Sequence, residues 1–124
     1  MASKTILVVE DDSSMQRLLM YYLEKAGYEV VTAENGEEGL ERMEENKPDV
    51  VITDLMMAHK DGFELCSDIR HRRDFDSVSI IVITARDQSR DVDVLLSGGV
   101  DRVMQKPFNP KELTQTIEEL TAGK

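Results

Sequence analysis

VVITD, residues 50–54, decides the fold. Val50–Thr53 is apolar on successive residues, the mark of a strand covered on both faces, and the run ends on a carboxylate, Asp54. Three more runs close on polar chemistry: ILVV at 6–9 on Glu10, Asp11 and Asp12, IIVI at 80–83 on Thr84, and the shorter Val103-Met104 ahead of Lys106-Pro107. In an open parallel sheet the C-terminal strand ends lie along one edge, where ligands bind. Residues far apart in the chain would then share one pocket, with Val50–Thr53 as the central strand.

Helix signals alternate with these strands. Ser13 or Ser14 can cap a helix whose apolar positions Met15, Leu18, Leu19, Tyr22, Leu23 and Ala26 recur at helical spacing, and Gly27 ends it. Glu29–Ala33 reads as a second strand, Asn35-Gly36 as a turn, and Glu37–Asn46 as an acidic helix with Leu40 and Met43 inward, stopped by Pro48. After a loop from Leu55 to Lys60, Asp61-Gly62 opens a helix with Phe63, Cys66 and Ile69 on one side. The polar stretch HRRDFDS, 71–77, leads to the fourth strand. Ser89–Ser97 forms a short helix closed by Gly98-Gly99, and Asn109-Pro110 starts the last one, striped by Leu113, Ile117 and Leu120. Five strands alternating with five helices over short connections specify an α/β fold: one doubly wound parallel sheet, helices on both faces, because each crossover must be right-handed. AGK at the C-terminus is expected to fray.

The chain has 124 residues, enough for one domain with a real core, and the expectation is a single domain over 1–124. A net charge of −10 opposes direct binding to nucleic acid or to an anionic membrane and suits a basic partner or a cation. The single cysteine, Cys66, sits on an apolar helical stripe and reads as a small core residue. No stretch approaches the roughly 18 consecutive apolar residues of a membrane span, and the N-terminus lacks a signal peptide's apolar core, so a cytoplasmic protein is the expectation.

Three acids in a row at the end of a buried strand repel one another unless a cation offsets them. Magnesium takes oxygen ligands, usually one or two carboxylates plus water and phosphate oxygens, and Asp11 with Asp54 could supply the carboxylates. Lys106 would add a fixed positive charge for a phosphoryl oxygen and Thr84 a hydroxyl. Asp54 is the candidate nucleophile, since an ionised carboxylate can accept a phosphoryl group without a base to activate it.

These residues carry a family likeness. In ILVVEDD at 6–12, VVITDLMMAHKDG at 50–62, IIVITA at 80–85 and GGVDRVMQKPF at 98–108, the chain resembles a response-regulator receiver domain of two-component signalling. The resemblance covers essentially the whole chain and implies a flavodoxin-like sheet of order 2-1-3-4-5. It further implies that Asp54 is the phosphoacceptor, and that magnesium is held by Asp11 directly, by Glu10 through water, by Asp54, and by the backbone carbonyl of Met56. Thr84 resembles the family's switch hydroxyl and Lys106 its lysine, with Lys106-Pro107 a candidate cis peptide. The implied function is a phosphorylation-dependent switch, not an enzyme acting on an outside substrate. A histidine kinase or phosphotransfer protein would donate, and the face made by the fourth helix, fifth strand and fifth helix would carry the change to a partner or output domain. A phosphorylation-dependent dimer is among the partnerships it allows.

Departures from the family pattern are informative. Ala58 stands where a proline is usual, which should leave the loop after Asp54 less restrained. Val103 occupies a position where many members carry an aromatic switch. Met56 and Arg86 sit at the variable positions where the family tunes access of the hydrolytic water. Other functions fit less well. A magnesium-dependent phosphohydrolase would need a second acid two residues after Asp54, where Met56 stands. A nucleotide- or flavin-binding module would need a phosphate-binding glycine loop. Taken singly, the acids at 10–12 suit a solvated helix N-terminus, and Thr84 and Lys106 an ordinary surface; only their joint placement at strand ends favours a site. His59 and His71 lack partners at metal-ligand spacing and read as exposed.

Overall fold

A β-favouring run buried on both faces can satisfy its backbone only between two other strands, and Val50–Thr53 does so at the centre of a five-stranded parallel sheet. The computed structural model describes residues 4–55, 57, 60–85 and 89–123. In chain order the elements are β1 (Thr5–Val9), α1 (Ser13–Lys25), β2 (Glu29–Ala33), α2 (Gly36–Asn46), β3 (Val50–Thr53), α3 (Gly62–Arg70), β4 (Ser79–Thr84), α4 (Ser89–Ser97), β5 (Arg102–Gln105) and α5 (Pro110–Thr121). A 3₁₀ turn at Arg73–Phe75 separates α3 from β4. The sheet order is β2-β1-β3-β4-β5. The register aligns Val9 with both Ala33 and Thr53, and Thr53 with Val82, so the residues following β1 and β3 emerge side by side.

Alternate strand residues feed two cores. Ile6, Val8, Ile52, Ile81 and Ile83 pack under α1 and α5 against Leu19, Leu23, Leu113 and Ile117. Leu7, Val9, Val51, Ile80 and Val82 pack on the other face against Met43 of α2, Leu65, Cys66 and Ile69 of α3, and Leu95 of α4. Cys66 is the buried core residue its stripe suggested, and burial pushes its thiol up to about 12.

Local details correct the sequence expectations in several places. The cap of α1 is Asp12, whose carboxylate accepts from the Ser14 and Met15 amides at 2.9 and 3.2 Å, and not Ser13 or Ser14. Two backbone amides reach one fixed carboxylate oxygen there. Asp12→Ala should therefore cost about 1 kcal/mol in urea denaturation, while Ser13→Ala should cost close to nothing. Equal effects would return the cap to the serines. Leu18 is 43% exposed, so the buried stripe of α1 is narrower than its apolar pattern. Asn35 caps α2, accepting from the Glu38 amide at 2.9 Å, and Gly36 is the helix's first residue and not part of a turn. Phe75, inside the polar HRRDFDS stretch, is buried, with the Arg72 guanidinium over its ring at 4.4 Å.

Candidate functional site

Glu10 and Asp54 leave neighbouring strands at the aligned ends of β1 and β3, with the Asp54 amide donating to the Val9 carbonyl at 3.3 Å. Two carboxylates so placed repel unless a cation joins them. Lys106 does: its Nζ lies 2.7 Å from Asp54 Oδ2 and 3.0 Å from Glu10 Oε1. The lysine is delivered by β5, since its own amide donates to the Thr84 carbonyl at 2.9 Å, one step beyond the Thr84–Gln105 pairing. The Lys106-Pro107 peptide is cis, as expected.

Each carboxylate is also held by backbone. Asp54 Oδ1 accepts from the Leu55 amide at 2.7 Å, and Glu10 Oε2 accepts from the Asp12 amide at 3.3 Å. Glu10 is only 3% exposed. Burial raises its pKa above the ordinary carboxylate value; the Lys106 hydrogen bond and charge pull it back, and the Asp54 charge pushes it up. For Lys106, burial works against the charged form, but the hydrogen bonds to Asp54 and Glu10 outweigh it and hold the ammonium above its ordinary value. A positive charge is thus locked between the two acids at neutral pH.

The remaining sequence candidates distribute as follows. Thr84 is buried at the end of β4, while Asp11 and Asp12 are exposed, Asp12 being occupied as a helix cap. Val103 is half-buried and packs against the core cluster under α2, α3 and α4. Met56, Ala58, His59 and Arg86 lie outside the described residues. His71 is exposed at the end of α3. Among the described residues no group of three or more acid, histidine or cysteine side chains converges as a metal cage. The carboxylates of Glu10 and Asp54 both reach the Lys106 ammonium, so two oxygen donors of the kind a hard divalent cation takes stand at the same strand edge.

Three further residues shape this edge without having been visible as candidates. Gln16 of α1 donates its Nε2 to the Glu10 carbonyl at 3.1 Å and to the Ala33 carbonyl at 3.3 Å, tying the ends of β1 and β2 together. Gly62 donates its amide to the Leu55 carbonyl at 3.0 Å, and a Cβ there would strike the Asp54 carbonyl. Gly36 donates to the Lys60 carbonyl at 2.9 Å, and a Cβ there would strike that oxygen. The signal in sequence was spacing alone: Gln16 is six residues after Glu10, and Gly62 eight after Asp54.

Comparison with known proteins identifies the family and the fold. Residues 6–118 match the family profile described as response regulator receiver domain. The chain is 39% identical over 118 residues to the alkaline phosphatase synthesis transcriptional regulatory protein PhoP of Bacillus subtilis, covering 95% of this chain and 48% of that protein. It is 37% identical over 113 residues to the transcriptional regulatory protein AfsQ1 of Streptomyces coelicolor, covering 91% and 49% respectively. The chain thus spans about half the length of these relatives. Among solved structures, the CheY-like receiver domain protein of Methanospirillum hungatei superposes with a TM-score of 0.89 at 29% identity, over 95% of this chain and 93% of that one. The chemotaxis response regulator CheY4 of Vibrio cholerae gives 0.89 at 28%, over 96% and 99%. With the fold, the strand order and the family profile in agreement, this chain belongs to the response regulator receiver domains of two-component signalling, whose general function is that of a phosphorylation switch.

Proposed function

We propose that this chain, as a single receiver unit over 1–124, accepts a phosphoryl group on Asp54 from a histidine kinase or phosphotransfer protein. The observation that carries the proposal is the Lys106 ammonium at 2.7 Å from Asp54 and 3.0 Å from Glu10, a fixed positive charge where phosphoryl charge would develop. An Asp54 carboxylate oxygen forms the new bond to phosphorus. The bond from phosphorus to the donor's imidazole nitrogen breaks, and that nitrogen keeps the electron pair and takes a proton. Hydrolysis by water returns the carboxylate and releases phosphate.

Glu10, Asp11, Asp54 and the backbone carbonyl of Met56 would hold Mg2+, which when bound neutralises phosphoryl oxygens. Lys106 orients the incoming group and Leu55 N–H steadies the carboxylate. Thr84, buried at the adjacent strand end, is the hydroxyl that senses the product. Its response would pass to the face made by α4, β5 and α5, where a partner, an output domain or a second copy reads it. Val103 offers no aromatic ring for that step, so either the movement there is a smaller one or another residue takes it over. The named relatives control transcription, and the acidic charge of this unit leaves nucleic-acid contact to an output part or partner. The proposed setting is the cytoplasm; among the described residues no helix is long and apolar enough to cross a membrane.

Intact mass after incubation with acetyl phosphate and Mg2+ tests the assignment. Wild type should gain one phosphoryl adduct and Asp54→Ala none. An adduct on both proteins would remove Asp54 from the role.

A further inference from the structure

The connection from Leu55 to Asp61 contains neither proline nor glycine. No residue of that sequence restricts its own backbone as proline does, so contacts at its described ends matter more. Its two ends are closed on each other by the Gly62 amide on the Leu55 carbonyl at 3.0 Å. Near its far end Lys60 is held by both backbone and side chain. The Lys60 carbonyl accepts from the Gly36 amide at 2.9 Å in the first turn of α2. The Lys60 ammonium pairs with the Asp68 carboxylate in the second turn of α3, and this hydrogen bond is the main cause that raises the lysine above its ordinary value. Charges on Glu64 and Glu37 surround the same ammonium. The approach to α2 is so close that only glycine fits at position 36, since any Cβ would meet the Lys60 carbonyl and side chain.

We propose that Lys60 is a positioning residue for the site: it ties the loop after Asp54 to α2 through its carbonyl and to α3 through its ammonium. The chain is thereby fixed where it rejoins the fold beside Leu55 and the Asp54 carboxylate, which favours binding of a divalent cation at that carboxylate. The inference rests on the phosphorylation reading above, because it assigns the loop a part in the same site. Lys60 carries the point charge, and Asp68 sits on a helix whose cap, Asp61 accepting from the Glu64 amide at 3.0 Å, immediately follows the lysine. Lys60 and the first two turns of α3 are therefore anchored as one unit.

The test uses isotope-labelled protein and two readouts that do not depend on phosphorylation. One is hydrogen exchange of the Gly36 amide, which reports whether the Lys60 carbonyl is still in place. The other is titration with Mg2+, followed on the Leu55 and Gly62 amide resonances. Lys60→Gln should speed Gly36 exchange and weaken Mg2+ binding by about three- to fivefold each, the size of effect an ion pair near the surface exerts. Lys60→Arg, which keeps the positive charge among Asp68, Glu64 and Glu37, should leave both near the wild-type values. Arg102→Gln, which removes the surface pair of Arg102 with Glu119 at 3.6 Å, is the control for a general loss of stability and should change neither.

Unchanged Gly36 exchange in Lys60→Gln would overturn the proposal. So would faster exchange with an unaltered Mg2+ affinity, which would leave Lys60 as an ordinary structural contact. An equal response in Arg102→Gln would overturn it too. Phosphorylation of Asp54→Ala would instead bring down the functional reading alone, since the exchange measurement does not involve Asp54 chemistry.

Discussion

Replacing Lys106 with methionine is expected to destabilise the fold by about 2 kcal/mol at pH 7, the scale of hydrogen bonds to charged groups, and by much less at pH 4. The substitution keeps most of the stem's volume and removes only the ammonium that joins Glu10 and Asp54. What remains is a nearly buried Glu10 beside a second carboxylate, with the backbone contacts of Leu55 and Asp12 as compensation. The pH dependence follows from direction. Burial already raises Glu10 above 4.5 in the folded state, and the lysine is what pulls it down. Without the lysine, Glu10 binds its proton still more tightly when folded. An acid whose folded value lies above its unfolded value favours the fold below the unfolded value, and that advantage is lost as pH rises through the folded one. The gap between variant and wild type should therefore open from about pH 4.5 upward. Lys106 contributes in the other direction. Its folded value lies above 10.5, so its own contribution in wild type is present below that pH and lost above it. Urea titrations at pH 4 and pH 7 decide the matter; a difference between the two proteins that is the same at both pH values would show that Glu10 is not the group left exposed to the change. Phosphoryl transfer from acetyl phosphate should fall steeply in the same variant, because the fixed positive charge is gone.

Gly62→Ala should be the most damaging single methyl group near the site. The new Cβ would press on the Asp54 carbonyl and the Leu55 Cα, both backbone atoms at the end of a strand buried on both faces. A flexible side chain could swing aside; this backbone cannot without breaking the Asp54 amide's bond to Val9 or the Gly62 amide's bond to Leu55. The expected loss is about 3 kcal/mol, the upper range for overpacking a well-filled position, together with a smaller yield of phosphorylated protein. The position has an ordinary helical backbone, so the penalty comes from the close approach alone. A urea midpoint within a few tenths of a molar of wild type, with phosphorylation intact, would show that the loop can yield and would weaken the view of it as a fixed wall. Gly36→Ala is the companion case on the other side of the loop, where part of the obstruction is the flexible Lys60 side chain.

Much of this architecture was legible in the chain. The continuous apolar run at 50–53 could only be a central strand, and the helix-spaced stripes at 15–23 and 113–120 could only face a sheet, so the order of elements and the two cores followed from periodicity. The errors fall where a local pattern has two readings. Asp12, Ser13 and Ser14 are all competent caps, and the choice of Asp12 depends on where β1 releases the chain. Phe75 sits among charges, and its burial follows from the Arg72 guanidinium closing over the ring and from the Arg70 guanidinium binding the Phe75 and Val78 carbonyls, contacts between residues that periodicity does not relate.

The site divides in the same manner. That acids, a hydroxyl and a lysine end successive strands is a property of the sequence, and parallel topology then obliges them to share one edge. Which acid the lysine takes is not. Glu10 and Asp11 are adjacent carboxylates, and neither spacing nor residue type says which of them meets the lysine. Only the tertiary structure buries Glu10 against Lys106 and leaves Asp11 to solvent, because the chain leaves β1 at Val9 and bends at Asp11, and 96 positions separate the lysine from its glutamate.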